Sequence, residues 1–451
     1  MKILLTAINA KYIHSNLALR NFVAYTADCA GHLVLKEYTI NHAPDRILQD
    51  IYRERPDVLC ISCYIWNIGS VETLIREFHK LMPAVPIWLG GPEVSFESGS
   101  FLTTHPEVKG IMRGEGEDTF AALARYYVYG SPEYLEDIPG LIFFQNGEIL
   151  QTSEALPLPL DHIPFCYDKT DDLAHRIVYY ESSRGCPFRC SYCLSSLEKT
   201  LRFRSLDLVK NELSFFVEQE IPQVKFVDRT FNCNHEHAMA IWRHIRSIDR
   251  GKTNFHFEVS ADLLRQDELD LLSTLRPGLI QLEIGVQSTN PATIAEIHRQ
   301  MDLPRLKEVV TRIRAWHNIH MHLDLIAGLP YEDYDTFERS FNEIFALAPS
   351  QLQLGFLKVL KGSYMYDHAE EYGMIYHSEA PYEVLSTKWL SFDDVLRIKR
   401  VEEMLEVYYN SWQYALTVRL FLCIYESAFE FFQRLGDYYD KNGLFGCSHS
   451  R

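Results

Sequence analysis

The chain has 451 residues, 47% of them apolar and 13% aromatic, enough for two or three domains with separate cores. Its formal net charge of −17 excludes a broadly basic nucleic-acid-binding surface. No apolar run reaches the ~18 residues of a membrane span, and the apolar opening at 1–8 is shorter than a signal peptide's core. No membrane association is expected, and a cytoplasmic location is.

Residues 1 to about 130 alternate short apolar runs with helical spacing, which predicts strands at 2–8, 33–38, 58–62, 86–89 and 110–113. That alternation is the pattern of an N-terminal doubly wound parallel α/β sheet, Rossmann-like, whose ligands sit beyond the carboxyl ends of the strands. The expected strand ends carry residues 10–16, Tyr64-Ile65-Trp66-Asn67, Gly90-Gly91-Pro92-Glu93 and Gly114-Glu115-Gly116-Glu117. Glycine turns at neighbouring strand ends let a bulky ligand approach the backbone. Cys60 and Cys63 form a nominal CxxC inside an apolar strand. Three residues apart they point to opposite faces, so core packing is expected rather than a shared metal. Ten cysteines without regular pairing do not suggest a disulfide framework.

A proline-punctuated connector, Leu156-Pro-Leu-Pro159 through Pro164, marks a domain boundary within a linker placed at 131–170. Beyond it stands Cys186-Pro-Phe-Arg-Cys190-Ser-Tyr-Cys193, three cysteines in eight residues spaced C-x3-C-x2-C. Four ligands close a metal site, whereas three leave a position open. A [4Fe–4S] cluster held by Cys186, Cys190 and Cys193 has one iron free for a small molecule. Arg184, Arg189, Lys199, Arg202 and Arg204 crowd this loop, either as a solvated edge, as a docking patch for an acidic electron donor, or as help in holding an anion.

Strands expected at 178–182, 224–227, 254–260, 279–286, 320–326 and 351–359 give six strand–helix units, a partial (β/α)6 TIM-like barrel with its site at the carboxyl ends. The pleat puts His256, Glu258 and Ser260 on one face of the third strand. Gln281, Glu283, Gly285 and Gln287 share a face on the fourth, and His320, His322 and Asp324 on the fifth. Three successive strands with one polar face each predict a lumen that holds a polar ligand. His235 and His237 look metal-like but lack a third ligand, so surface positions at a helix start are expected. From about 365 the chain turns helical and aromatic, with helical spacing at 393–409 and 414–435, and packing against the barrel is the default. The expected domains are 1–130, 131–170, 171–364 and 365–451.

The cysteine spacing resembles the cluster loop of the radical S-adenosylmethionine (SAM) superfamily. In that superfamily the free iron chelates the amino and carboxylate groups of SAM, and an electron from the cluster cleaves SAM to a 5′-deoxyadenosyl radical. Phe257-Glu258-Val259, Gly285-Val286-Gln287-Ser288 and the run from Asp324 to Pro330 are similar to segments of oxygen-independent coproporphyrinogen oxidase and related enzymes. The resemblance implies that Glu258, Gln287 and Asp324, with Ser260 beside them, contact SAM's ribose or methionine part. It implies that Arg299 pairs with the carboxylate, Asp228 with the ammonium, and that Tyr192 offers backbone groups to the adenine. The turns at Gly90, Gly91, Gly114, Glu115 and Gly116 resemble the cobalamin-binding domain that precedes many radical SAM domains, over most of residues 1–125. The cobalamin-ligating Asp-x-His-x-x-Gly motif is absent and His14 does not complete it. Trp66 is the candidate for the side chain that covers cobalt's lower face.

Together the resemblances imply a cobalamin-dependent radical SAM enzyme, most simply a methyltransferase acting on an unactivated carbon of a small-molecule or peptide substrate, reduced by a flavodoxin- or ferredoxin-like donor. The alternative chemistries are ring contraction, cyclisation or oxidation. Methylthio transfer needs a second cluster, for which Cys29, Cys60 and Cys63 are poorly placed. A non-catalytic cobalamin sensor is the remaining class.

Overall fold

A computed structural model describes residues 1–167, 176–198 and 200–446 of the chain. It divides into two compact units, Met1–Ser183 with Arg202–Lys225 and Glu379–Pro381, and Arg184–Leu201 with Phe226–Ser378 and Tyr382–Arg451. The expected boundary at 170/171 and Lys199 of the basic cluster lie outside the described residues.

The first unit is built on seven strands: β1 (Ile3–Asn9), β2 (Leu33–Thr39), β3 (Val58–Ser62), β4 (Ile87–Gly90), β5 (Gly110–Met112), β6 (Leu141–Gln145) and β7 (Glu148–Gln151). Their order is β2-β1-β3-β4-β5-β6-β7. The first five are parallel, and β6 and β7 add antiparallel at one edge. Strands β1 and β3 are buried along their whole length, as parallel strands covered on both faces are. The helices Pro44–Glu54 and Ile68–Leu81 cover one face through Ile47, Ile51, Val71 and Phe78. Leu17–Tyr25 and Glu117–Tyr129 cover the other through Leu19, Phe120 and Leu123. Cys60 packs in one of these cores and Cys63 in the other, on opposite faces as the pleat requires. Burial pushes the Cys60 thiol up to about 12 and raises Cys63 as well, so both stay protonated thiols in apolar surroundings.

The segment read as a connector contributes structure of its own. Residues 141–151 form a hairpin about Asn146 and Gly147, whose φ angles of 53° and 85° suit a two-residue β-turn. Asn-Gly between two apolar runs is a strong hairpin signal, and the proline-rich stretch begins only after it.

Strands β8 (Val178–Tyr180), β9 (Ser183–Arg184), β10 (Arg202–Phe203) and β11 (Gln223–Phe226) follow in the chain. In the second unit β12 (Asn254–Glu258), β13 (Ile280–Gln287), β14 (His320–Ala327) and β15 (Gln351–Phe356) form a parallel ladder in chain order. With β8 and β11, six strands stand where the six strand–helix units were expected. Along β13 every second residue is buried, Ile280, Leu282, Ile284 and Val286, while Gln281, Glu283, Gly285 and Gln287 are half-exposed. Phe255 and Phe257 on β12 and Met321, Leu323 and Leu325 on β14 continue the apolar side. The polar face is thus a real surface of the ladder.

The C-terminal region is helical apart from a short antiparallel strand pair, Ile375–Tyr376 with Val384–Ser386, and the expected helical spans are also divided differently. The run at 414–435 is two helices, Ala415–Phe421 and Ala428–Lys441, because Ser427 caps the second by accepting from the Glu430 N–H. Phe429, Phe431 and Phe432 are buried, and Phe429 meets Phe341 edge-on at 5.2 Å between ring centroids. Among the described residues no helix is long and apolar enough to cross a membrane.

Candidate active site

The cluster loop is shaped by its backbone. Gly185 has φ +97°, and a Cβ there would run into the Thr200 carbonyl, so the residue before Cys186 must be glycine. The Cys193 N–H donates to the Cys190 carbonyl at 3.1 Å, turning the loop so that Cys190, Tyr192 and Cys193 lie close along it. The Ser191 N–H donates to the Ile297 carbonyl, and the Met365 N–H to the Ser191 carbonyl, which pins the loop from two sides. Cys186 Sγ lies 3.7 Å from the Thr230 hydroxyl. Thr230 was not singled out from sequence, although it sits two residues after Asp228. Burial raises the Cys190 thiol, and the Arg299 guanidinium beside it pulls the other way. A cluster draws such thiols to the thiolate when it binds.

Arg299 reaches this loop from the far side. It is half-buried, donates to the Gly285 carbonyl, and places Nη1 3.3 Å from the Tyr192 hydroxyl and 3.8 Å from Cys190 Sγ. Gln287 ends β13 with φ +73° at a register shift after Gly285. A left-handed non-glycine residue at a bulge is strained, and such strain concentrates where a side chain must be aimed. A Cβ on Gly285 would collide with the Gln287 amide nitrogen, so the glycine makes room for Gln287 and Arg299 together. Gln287 Oε1 and Arg299 Nε are buried without hydrogen-bond partners. An acceptor and a cationic donor left open beside the cysteines fit a ligand with hydroxyl and carboxylate groups, as SAM has. Asp228 is buried, and Glu258 and Asp324 stand half-exposed on the polar face. Ser260 is differently engaged: its hydroxyl donates to Asp262 at 2.7 Å, and its backbone pairs with the Asn232 side chain.

Behind Gln287 lies a carboxyl the sequence reading missed. Glu332 accepts from the Ser288 hydroxyl at 2.6 Å and the Ser340 hydroxyl at 3.0 Å, and burial raises it from 4.5 to about 7. The folded chain therefore keeps a proton that the unfolded chain releases above pH ~4.5. The stability this gives is complete below that pH and is lost as pH rises to about 7. Glu332→Gln keeps the acceptor and removes the titration. Urea unfolding should show the variant gaining on the native chain by on the order of 2 kcal/mol between pH 5 and 8. An unchanged difference would contradict this.

In the first unit the strand order reverses between β1 and β3, and ligands of doubly wound sheets bind at such a reversal. Trp66 stands there. It is 43% exposed, its indole N–H donates to the Ile8 carbonyl at 3.1 Å, and its ring stacks on Tyr64 at 4.4 Å. The Asn67 side chain also donates to the Ile8 carbonyl, so the loop after β3 is tied to the end of β1. Gly114, at φ +74°, has nothing within 4 Å of where a Cβ would lie. An open glycine turn and a fixed, exposed indole at a sheet's reversal point fit a bulky planar ligand such as cobalamin.

The other turn residues serve the fold first. A Cβ at Gly91, φ +112°, would strike the Cys63 carbonyl, and one at Gly116 would strike the Phe22 ring, whereas Gly90 makes ordinary contact with Met112. Gly91→Ala is expected to destabilise the first unit by at least ~2 kcal/mol, read as an earlier midpoint in chemical unfolding, because it combines a left-handed angle with a backbone clash. Glu115 is held by an ion pair with Arg202, which also donates to the Leu158 carbonyl. His14 pairs through Nδ1 with the Tyr179 hydroxyl.

Two expectations need correction. Arg202 and Arg204 are not part of a solvated or docking patch: Arg202 binds Glu115, and Arg204 is buried against Glu212, Nε to Oε2 at 2.9 Å. Local sequence gives no hint of partners so far along the chain as Glu115. His237 is not a surface residue but is 6% exposed, with burial lowering it to about 4. His235 pairs instead with Asp267 and Glu268, at 3.0 and 3.1 Å.

Comparison with known proteins follows the same division. Residues 3–124 match the B12 binding domain, 180–344 the Radical SAM superfamily, and 370–451 a Protein of unknown function family (DUF4080). The chain is 26% identical over 301 residues to the cobalamin-dependent radical SAM methyltransferase TokK of Streptomyces tokunonensis, covering 62% of this chain and 44% of TokK. It is 23% identical over 353 residues to the anaerobic magnesium-protoporphyrin IX monomethyl ester cyclase of Cereibacter sphaeroides, covering 70% of this chain and 55% of the cyclase. The chain thus spans about half the length of these relatives. Its fold resembles that of the radical S-adenosylmethionine methyltransferase TsrM from Kitasatospora setae with cobalamin and a [4Fe–4S] cluster bound, at a TM-score of 0.66 and 18% identity over 84% of this chain and 76% of that one. Residues 3–124 are thus similar to the B12 binding domain and residues 180–344 to the Radical SAM superfamily, and the cofactors these domains take are cobalamin, S-adenosylmethionine and a [4Fe–4S] cluster.

Proposed function

We propose that this protein is a cobalamin-dependent radical SAM methyltransferase acting at an unactivated carbon of a small-molecule or peptide substrate. The observation that carries the reading is the open pair beside the cysteine loop, Gln287 Oε1 and Arg299 Nε, in a chain with a B12-binding domain before it. When bound, the cluster with SAM supplies a 5′-deoxyadenosyl radical, and cobalamin supplies the methyl group.

In this reading Cys186, Cys190 and Cys193 hold the cluster and leave one iron to SAM. Arg299 pairs with SAM's carboxylate and Asp228 with its ammonium. Glu258, Gln287 and Asp324 take the ribose or methionine part, with Ser260 held near them by Asp262 and Asn232, and Tyr192 meets the adenine through its backbone. Trp66, Gly90, Gly91, Gly114, Glu115 and Gly116 would hold the cobalamin, with Trp66 the side chain that would cover its lower face. The domains are cobalamin-binding 1–130, linker 131–170, radical SAM core 171–364 and helical 365–451. The reductant is a flavodoxin- or ferredoxin-like protein, and the location is the cytoplasm.

The cyclase match supports a second reading, in which the same radical drives ring formation without methyl transfer. The two part on one product. The reduced protein, loaded with cobalamin and given SAM anaerobically, is expected to form S-adenosylhomocysteine in addition to deoxyadenosine. Deoxyadenosine alone would favour cyclisation or oxidation and refute methyl transfer.

A further inference from the structure

We propose that Glu283, His322 and Asp324 form a binding site for a divalent first-row metal ion on the polar face of the second unit's sheet, separate from the cysteine loop. A carboxylate oxygen of Glu283, an imidazole nitrogen of His322 and a carboxylate oxygen of Asp324 lie within 4.8 Å of one another. Donors around one ion at about 2.1 Å stand roughly 3–4 Å apart, so small side-chain movements close the site.

Strand pairing is what assembles the set. Glu283 on β13 is the direct partner of His322 on β14, and Asp324 lies one pleat step further along β14, on the same face. His322 is 8% exposed, with Nε2 3.2 Å from Asp324 Oδ1. His256 on β12, also buried, sets Nε2 2.9 Å from Glu283 Oε2. Glu258 is paired in register with Glu283, so three carboxylates share this part of the sheet. A dication offsets their mutual repulsion. One imidazole and two carboxylates suit Mn²⁺, Fe²⁺ or Zn²⁺, and three protein ligands leave positions open for water or a polar substrate group.

Asp324 is shared with the proposed SAM contacts, so the test rests on His322 and Glu283, which take no part in them. The cluster-loaded full chain is dialysed anaerobically against Mn²⁺ and, separately, Zn²⁺, and bound metal is counted by elemental analysis. One ion per chain is expected for at least one metal. His322→Ala and Glu283→Gln should each weaken binding at least tenfold while iron content, circular dichroism and SAM affinity stay unchanged. Cys186→Ala should retain the ion. Binding of neither metal, or binding that survives both substitutions or vanishes with Cys186, overturns the site and leaves two imidazole–carboxylate pairs. SAM affinity is read in the same samples, so the site can fail while the proposed SAM contacts stand.

Discussion

Replacing Cys186 by alanine is expected to lower bound iron and reduce reductive SAM cleavage to background, a loss of at least ~10³-fold. The loop offers three thiols, and Cys233, near enough to Cys186 for the two to interact electrostatically, is held as a thiol by burial, which raises it to about 11. Cys60 and Cys63 are sealed in opposite cores of the first unit, and Cys29 is buried there too. Cys186 follows a glycine whose backbone angle only glycine adopts comfortably, so a ligand cannot be recruited from the preceding position. Iron analysis with anaerobic deoxyadenosine measurement checks this. Circular dichroism should be unchanged, since Cys186 is only half-buried and the loop is pinned through Ser191.

The second large effect is expected at Arg299. Its guanidinium already spans the Gly285 carbonyl, the Tyr192 hydroxyl and Cys190, and Nε remains open. Charge-assisted bonds in a buried setting contribute about 2–4 kcal/mol, so Arg299→Ala should raise the Kd for SAM roughly 30- to 1000-fold. Arg299→Lys should recover only a small part, because an ammonium lacks the fork that reaches several acceptors at once. Calorimetry with the cluster-loaded variants separates lost SAM binding from lost iron. An unchanged Kd with iron intact would remove Arg299 from the site.

Much of this molecule is legible in local pattern. The alternation of Gln281, Glu283, Gly285 and Gln287 with buried Ile280 to Val286 can be read from a period of two, and so can the opposed cores of Cys60 and Cys63. The cysteine loop is legible because its spacing carries its chemistry. What escaped depends on partners distant in the chain or on backbone detail. Arg202 looked like loop charge until its ion pair with Glu115 was visible, and Arg204 until its pair with Glu212 was. The left-handed angle at Gln287 and the register shift before it leave no trace in residue type. Glu332 is buried through its serine partners, one of them 44 residues back in the chain, although an acid so near a Gly-Leu-Pro turn reads as surface. The Asn146-Gly147 hairpin was readable and was overlooked in favour of the prolines that follow it.

The central claim is that one chain serves both cofactors. It is tested most directly by anaerobic reconstitution with iron, sulfide and hydroxocobalamin, followed by metal and cobalamin analysis and a SAM-cleavage assay on the desalted protein. About four irons and one cobalamin per chain, with deoxyadenosine formed only after reduction, are predicted. Iron retained without cobalamin, or both retained without deoxyadenosine, would contradict it.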